Sequence, residues 1–397
     1  MAVKYLDLLK TVVNLPTAPF CEGAVVAFIR DFVAARPALS LRADRFGNLL
    51  VRYRPVGRGA RVKRPVLFAA HMDHPGFVAT RMIDGRHCEA SFRGWVKAEY
   101  FQTAKVRFYS GDRWVRGKIA RVIRKKPARV SRATASARSF RDQEPPDSVV
   151  VRYAAAVAPG SPGMWDFPDA QIRGTQLHAR ACDDLAGLAG ILCAIDELCR
   201  KRARVPFMAF FTRAEEVGFG GALAAVADKT VPRQAIVVAV ECSKAVTGVA
   251  LGGGPVLRVG DKASVFTPAA TAYCQVAAEE LAGRDRSFVF QRKLMDGGTC
   301  ESTAYCHYGY DATGICLPLG NYHNMDEKTG RVGPEFIDVR DFQNLVKWFV
   351  ALAEAPAKQP YDERHPGLDA RLDALLMQHR PGLLRTAASV SARSVRR

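Results

Sequence analysis

The chain has 397 residues, of which 48% are hydrophobic and 24% charged. That balance excludes a mostly disordered chain, and the length suits two domains or one elaborated domain. Lysine and arginine outnumber aspartate and glutamate by 58 to 39, a net charge of +19 that raises the question of an anionic partner; no apolar run approaches the roughly 18 residues of a membrane span.

The opening MAVKYLDLLK carries charges and no apolar h-region, so it does not read as a signal peptide, and a cytoplasmic protein is expected. The ten cysteines are scattered without a Cys-x-x-Cys pair, and read as reduced, mostly buried thiols. Leu6, Leu9, Val12 and Val13, then Val25, Ile29, Phe32 and Val33, recur at helical spacing. Strands are expected at 49–53 and 65–70. From about residue 76 to 170 the pattern changes to short alternating runs, at 105–109, 118–123 and 149–153, broken by Gly, Pro and Ser. Such runs describe a small all-β unit. From about residue 174 helix and strand alternate again: helix 185–200, strand 205–212, helix 221–227, strand 235–240. Apolar strands alternating with helices imply a mainly parallel or mixed α/β sheet sandwiched by helices. The expected organisation is an α/β domain in two parts, 1–75 and 173–355, with a small β-barrel-like domain, 76–172, inserted between them. A tail, 356–397, carries one short helical pattern at 368–377. It is expected to be partly disordered, above all after Pro381, where four arginines occur without an acid.

The chemistry lies where polar residues meet strand ends. PVLFAA runs into His71-Met72-Asp73, VPFMAFFT into Arg213-Ala214-Glu215-Glu216, AIVVAV into Glu241, and GICLPLG into Asn321-Tyr322-His323-Asn324. Cys182-Asp183-Asp184 precedes the helix at 185–200. Open α/β sheets bind ligands beyond the carboxyl ends of their strands. Taken singly, each piece has a plain structural reading: either Asp can cap the helix, Glu215-Glu216 can be a solvated loop, and His71 a core histidine. Taken together, two histidines and several carboxylates at one sheet edge form a ligand set for two divalent cations, and donors without thiolate suit Zn, Co or Mn. His71 and Asp73, two apart in extended chain, point the same way, so Asp73 can orient the imidazole. Of Glu215 and Glu216, one can hold metal while the other serves as general base. Asp183, at a helix start, is placed to bridge two cations, which lower the pKa of a bridging water.

HMDHPGF, ARACDDLAGLAG, FTRAEEVGFGGA, LGGGPVLRVGD and GGTCES…GNYH resemble, in order and spacing, the motifs of the glutamyl-aminopeptidase and tetrahedral-aminopeptidase family of dinuclear metallopeptidases, over residues of about 65 to 325. The resemblance implies a zinc-peptidase α/β domain with an inserted β domain that drives homo-oligomerisation. It implies two divalent ions per chain, Zn or Co, and removal of N-terminal residues from peptides by a metal-bridging water. His71 and Glu241 would ligate one metal, Glu216 and His323 the other, and Asp183 would bridge; Glu215 would be the general base and Asp73 the histidine orienter. Relatives more often have Asp where Glu241 stands. Leu185 replaces an Arg, Cys300-Glu301 stands where Thr-Asp is common, and Asn321–Asn324 replaces an Arg-Tyr-x-His-Ser pattern. No side-chain specificity is therefore carried over. The alternatives are an amidase or deacylase on the same site, or a catalytically idle oligomeric nucleic-acid-binding relative.

Gly218-Phe219-Gly220-Gly221 is set aside as a dinucleotide loop, because Glu215 and Glu216 before it would repel a pyrophosphate. The basic surplus peaks at 111–140, with ten Lys/Arg and one acid. Segment 113–138 is read as a solvated loop or a subunit contact in preference to a nucleic-acid surface, since no stacking aromatics interleave the charges. No membrane partner is expected.

Overall fold

The computed structural model describes residues 2–55, 62, 64–124, 144–355 and 366–393. Helices α1 (Ala2–Val13) and α2 (Gly23–Ala34) lead into strands β1 (Leu39–Ala43), β2 (Leu49–Tyr53) and β3 (Val66–His71). Six strands follow: β4 (Gly76–Met82), β5 (His87–Arg93), β6 (Lys105–Ser110), β7 (Arg113–Ile123), β8 (Ser148–Tyr153) and β9 (Pro162–Trp165). A hairpin, β10 (Gln171–Arg173) and β11 (Gln176–Ala179), precedes α3 (Leu185–Arg200), β12 (Phe207–Thr212), α4 (Gly220–Ala227) and β13 (Ile236–Lys244). Then come β14 (Val256–Asp261), α5 (Pro268–Arg284), β15 (Gln291–Met295), α6 (Glu301–His307) and β16 (Asp311–Leu319). The short pair β17 (Met325–Asp326) and β18 (Arg331–Val332), β19 (Glu335–Asp338), α7 (Val339–Glu354) and α8 (Pro366–Arg393) complete the described chain.

The main sheet has the order β1-β2-β12-β3-β13-β16-β14-β15. Its centre, β12, β3, β13 and β16, is parallel, and β2 and β14 join antiparallel on either side. The fold is thus the expected mixed α/β sheet. The reason lies in the strands themselves, since β3 and β12 are buried at every position. Val66, Phe68 and Ala70 share a core with Leu9 of α1, Leu188 of α3 and Leu345 of α7, while Leu67 and Ala69 face Ala225 of α4 and Tyr305 of α6. A strand covered on both faces has no polar side to show, hence its unbroken apolar run.

Strands β4-β5-β8-β7-β6-β9 close a barrel. Inside it, Phe77, Phe92, Phe101, Phe108 and Trp165 pack edge to face or tilted. Burial alternates along β5 residue by residue, as a strand with one face inward requires. Gly163 makes room for these rings: a Cβ there would lie 2.6 Å from Phe108.

Two expectations change. Strand β13 runs on to Lys244 because β16 keeps pairing with it through Leu319, so Glu241 lies within a strand rather than after one. At the carboxyl end, α8 continues through Pro381 to Arg393 instead of becoming irregular; Leu, Ala and Arg around that proline are strong helix formers. Leu372, Leu375, Leu376 and Met377 of α8 stand exposed. Residues 125–143, most of the basic segment, and 356–365 fall outside the described residues. Among the described residues no helix is long and apolar enough to cross a membrane.

Candidate metal centre and substrate cleft

His71 ends β3 directly opposite Thr212, the last residue of β12, so the two strands deliver His71 and the Glu215-Glu216 loop to the same edge. The ladder between β13 and β3 stops at Ala239–Ala69, which leaves Glu241 uncovered beside His71. Asp183 comes from the turn before α3, and His323 from a turn between β16 and β17. All five predicted ligands therefore meet. His71 Nε2 is 3.5 Å from Asp183 Oδ1 and 3.6 Å from Glu241 Oε2. His323 Nε2 is 3.7 Å from Asp183 Oδ2 and 3.2 Å from Glu216 Oε2. Glu215 Oε2 lies 4.0 Å from His71 Nε2.

The electrostatics are those of a site short of positive charge. Burial, then neighbouring carboxylates, pushes Glu215 and Glu216 well above the usual carboxylate range. Glu241 is raised by burial, against the pull of His71. Asp183 is held low: burial opposes its ionisation, but the His71 imidazole 3.5 Å away prevails. His71 is driven up by Asp183, Asp73 and Glu241 despite burial, whereas burial lowers His323. Among the described residues, the buried atoms His71 Nε2, His323 Nε2, Glu216 Oε1 and Glu241 Oε1 have no hydrogen-bond partner. Buried, unpaired donor atoms of this kind are the ones a metal ion satisfies. Among the described residues three donor groups could hold a cation: His71–Asp183–Glu241, Asp183–Glu216–His323 and His71–Glu215–Glu216. Asp183 belongs to the first two.

The support around these ligands differs from the sequence reading. His71 Nδ1 lies 3.1 Å from the main-chain oxygen of Asp73 and 3.6 Å from its carboxylate. The Asp73 carboxylate is spent on the loop opposite, accepting from Glu215 N at 3.0 Å and Glu216 N at 3.1 Å. Ala214, before them, sits at φ 54°, and its amide donates to Glu22, whose other oxygen takes Arg213 Nε. Glu335 does most of the remaining work. Fully buried on β19, it accepts from Cys182 N at 2.7 Å, Asp183 N at 3.1 Å and His323 N at 2.9 Å. Burial pushes its carboxyl up to about 8. Asn321, His323 and Asn324 are all left-handed, a strained turn for side-chain-bearing residues. Glu335 holds it on one side; on the other, Asn324 Nδ2 donates to the Arg180 and Gly333 carbonyls. The barrel reaches in as well, for His323 Nδ1 lies 2.6 Å from the Trp95 carbonyl.

Sequence reasoning also missed His74, which sits between the Asp183 carbonyl, 2.7 Å from Nδ1, and Asn324 Oδ1, 3.1 Å from Nε2. Burial pulls its pKa down to about 4. Asp184 occupies the N-cap position of α3 without making a capping bond. Its buried carboxylate crowds Gly187, where a Cβ would fall 2.1 Å from Oδ1; that glycine was the available clue. Of the departures, Leu185 is core, Asn321 Nδ2 ties the turn to the Pro334 carbonyl, and Glu301 is buried with its carboxyl pushed up to about 8 by burial. The cleft over the candidate ligands is walled by Lys244, Val246, Arg258, Met295 and Tyr322. Arg258 is buried, donates to Ser243 Oγ at 3.0 Å and leaves Nε unpaired.

Residues 47–344 match the family model of the M42 glutamyl aminopeptidases. The chain belongs to that family. Membership makes it a metal-dependent aminopeptidase, a hydrolase of peptide bonds, and agrees with the resemblance seen in its motifs. No curated protein matches it in sequence. Among solved structures, the Pyrococcus horikoshii TET1 peptidase, described as able to assemble into a tetrahedron or a large octahedral shell, shares 20% identity. That match covers 88% of this chain and 99% of that one, with a TM-score of 0.68. An aminopeptidase from the archaeon Desulfurococcus kamchatkensis shares 21% identity over 90% of this chain and 96% of its own, with a TM-score of 0.69. At such identities the likeness is one of fold.

Proposed function

We propose that this chain is a dinuclear aminopeptidase that removes N-terminal residues from peptides, with Glu215 as its general base. The observation that carries the proposal is the sharing of Asp183 between two buried donor groups. His71 and Glu241 would hold one ion, Glu216 and His323 the other, with Asp183 between them. Imidazole and carboxylate donors without thiolate suit Zn or Co. Two such ions supply Lewis acidity to the scissile carbonyl and acidify water.

The chain's own residues do the rest. Glu215, whose proton affinity burial and Glu241 raise, takes the proton of the attacking water and returns it to the leaving amine. Asp73 is a positioning residue, gripping the amides of Glu215 and Glu216 so that the two carboxylates stay in place. The carboxylate-rich floor attracts a free α-ammonium, which favours cleavage at the first peptide bond. On the cleft wall, the buried Arg258 cation favours an acidic side chain at the substrate's N-terminal residue. Homo-oligomeric assembly is supported by the shells described for TET1; a cytoplasmic location and the inserted unit 76–172 as the contact belong to the same reading.

The test is the Zn- or Co-loaded protein with aminoacyl anilides. Glu215→Gln is expected to lower kcat by about 10²–10⁴-fold while keeping the metal. An equally active variant overturns the role of Glu215, and hydrolysis of N-acyl amino acids in place of free-amine peptides overturns the substrate class.

A further inference from the structure

The outer face of the barrel carries a row of cations set directly opposite one another. On β6, β7 and β8 there are seven Lys/Arg and no acid. Lys105 of β6 pairs in register with Lys118 of β7, and Lys118 with Arg152 of β8. Arg121, beyond the bulge in β7, opposes Val150. All four cations are exposed, and among the described residues none has an ion pair or side-chain hydrogen bond. The acids around the row are engaged elsewhere: Asp166, whose amide donates to the Lys105 carbonyl, with Arg116 at 3.4 Å, Asp84 with His87 at 2.9 Å, and Glu89 with Arg81 at 2.8 Å and Ser148 at 3.2 Å.

Like charges facing each other across an antiparallel pair destabilise a sheet. Opposed residues lie about 5 Å apart, so Lys105, Lys118 and Arg152 form a line of roughly 10 Å, and the Asp166 carboxylate at its Lys105 end is paired with Arg116. A fitting partner has closely spaced negative charge along its length. We propose that this row binds the phosphate backbone of nucleic acid, apart from the peptidase site. No aromatic ring is interleaved with the four cations, so the contact follows phosphates and does not read bases.

The experiment uses the full-length, metal-loaded protein and a fluorescein-labelled 20-nucleotide single-stranded DNA, followed by anisotropy. Four phosphate contacts on a single strand give a log–log salt slope of about −3, so affinity should fall roughly 50-fold between 50 and 200 mM salt. Mixed-sequence and oligo-dT probes should bind alike. The triple variant Lys105→Gln/Lys118→Gln/Arg152→Gln should bind at least tenfold more weakly at 50 mM, with a slope shallower by about 2, while peptidase activity and assembly size stay unchanged. The proposal is overturned by no binding at 50 mM salt, by equal binding of the variant, or by poly-glutamate competing as well as DNA, which would mark an acidic protein partner. A changed assembly size in the variant also overturns it, by showing that the row is a subunit contact.

Discussion

Removing the Glu335 carboxylate should loosen two segments that carry candidate metal ligands at once. In Glu335→Ala the amides of Cys182, Asp183 and His323 lose their acceptor. Each orphaned buried donor costs about 1–3 kcal/mol, so three cost at least about 3 kcal/mol even where water enters the space left behind. Because Asp183 and His323 then sample geometries unsuited to shared ligation, metal affinity should also drop by about 10–100-fold, the usual loss when a group supporting a ligand is removed. Glu335→Gln keeps one carbonyl oxygen, enough for the Cys182–Asp183 pair or for His323 but not both. It should fall between wild type and Glu335→Ala on both measures. Urea unfolding of the metal-free protein reads the first effect, and competitive chelator titration with Zn the second. A Glu335→Ala protein within about 1 kcal/mol of wild type that binds Zn within twofold would refute the idea that this carboxylate organises the centre.

Other consequences follow from particular side chains. Arg258→Met should lower kcat/KM for glutamyl and aspartyl anilides by tenfold or more and spare leucyl anilide; a uniform loss across substrates would show that Arg258 supports the fold and does not select side chains. His74 is held neutral by burial, with its pKa near 4 against an ordinary 6.5, so the unfolded chain takes up the proton first as pH falls. Its contribution to stability is therefore present above pH 6.5 and lost towards pH 4, at no more than about 1.4 kcal/mol per pH unit. Urea unfolding across that window should show a shallower pH dependence for His74→Gln than for wild type. In the barrel, Gly163→Ala would thrust a methyl group against Phe108 and should cost about 1–3 kcal/mol; unchanged thermal unfolding would mean that the aromatic core yields freely.

The architecture and the candidate ligands were legible for one reason: both leave local marks. A strand covered on two faces must be apolar at every position, so the runs ending in His71 and Thr212 announced buried strands, and the His and Glu residues just beyond them stood out against apolar context. The short alternating runs at 105–109, 118–123 and 149–153 likewise betrayed strands, found as β6, β7 and β8. The supports left no such mark. Glu335 bonds to amides up to 153 positions away, and Asp73 grips a loop 142 residues further on; an acceptor is matched to a distant backbone N–H only by how loops pack, which no local spacing encodes. The same holds for Arg258 on the cleft wall and for the cation row, whose members lie on three strands and become neighbours only through barrel register. Periodicity along the chain thus determined which residues are buried and which chemistry is available, while tertiary packing alone decided which atoms hold that chemistry in place.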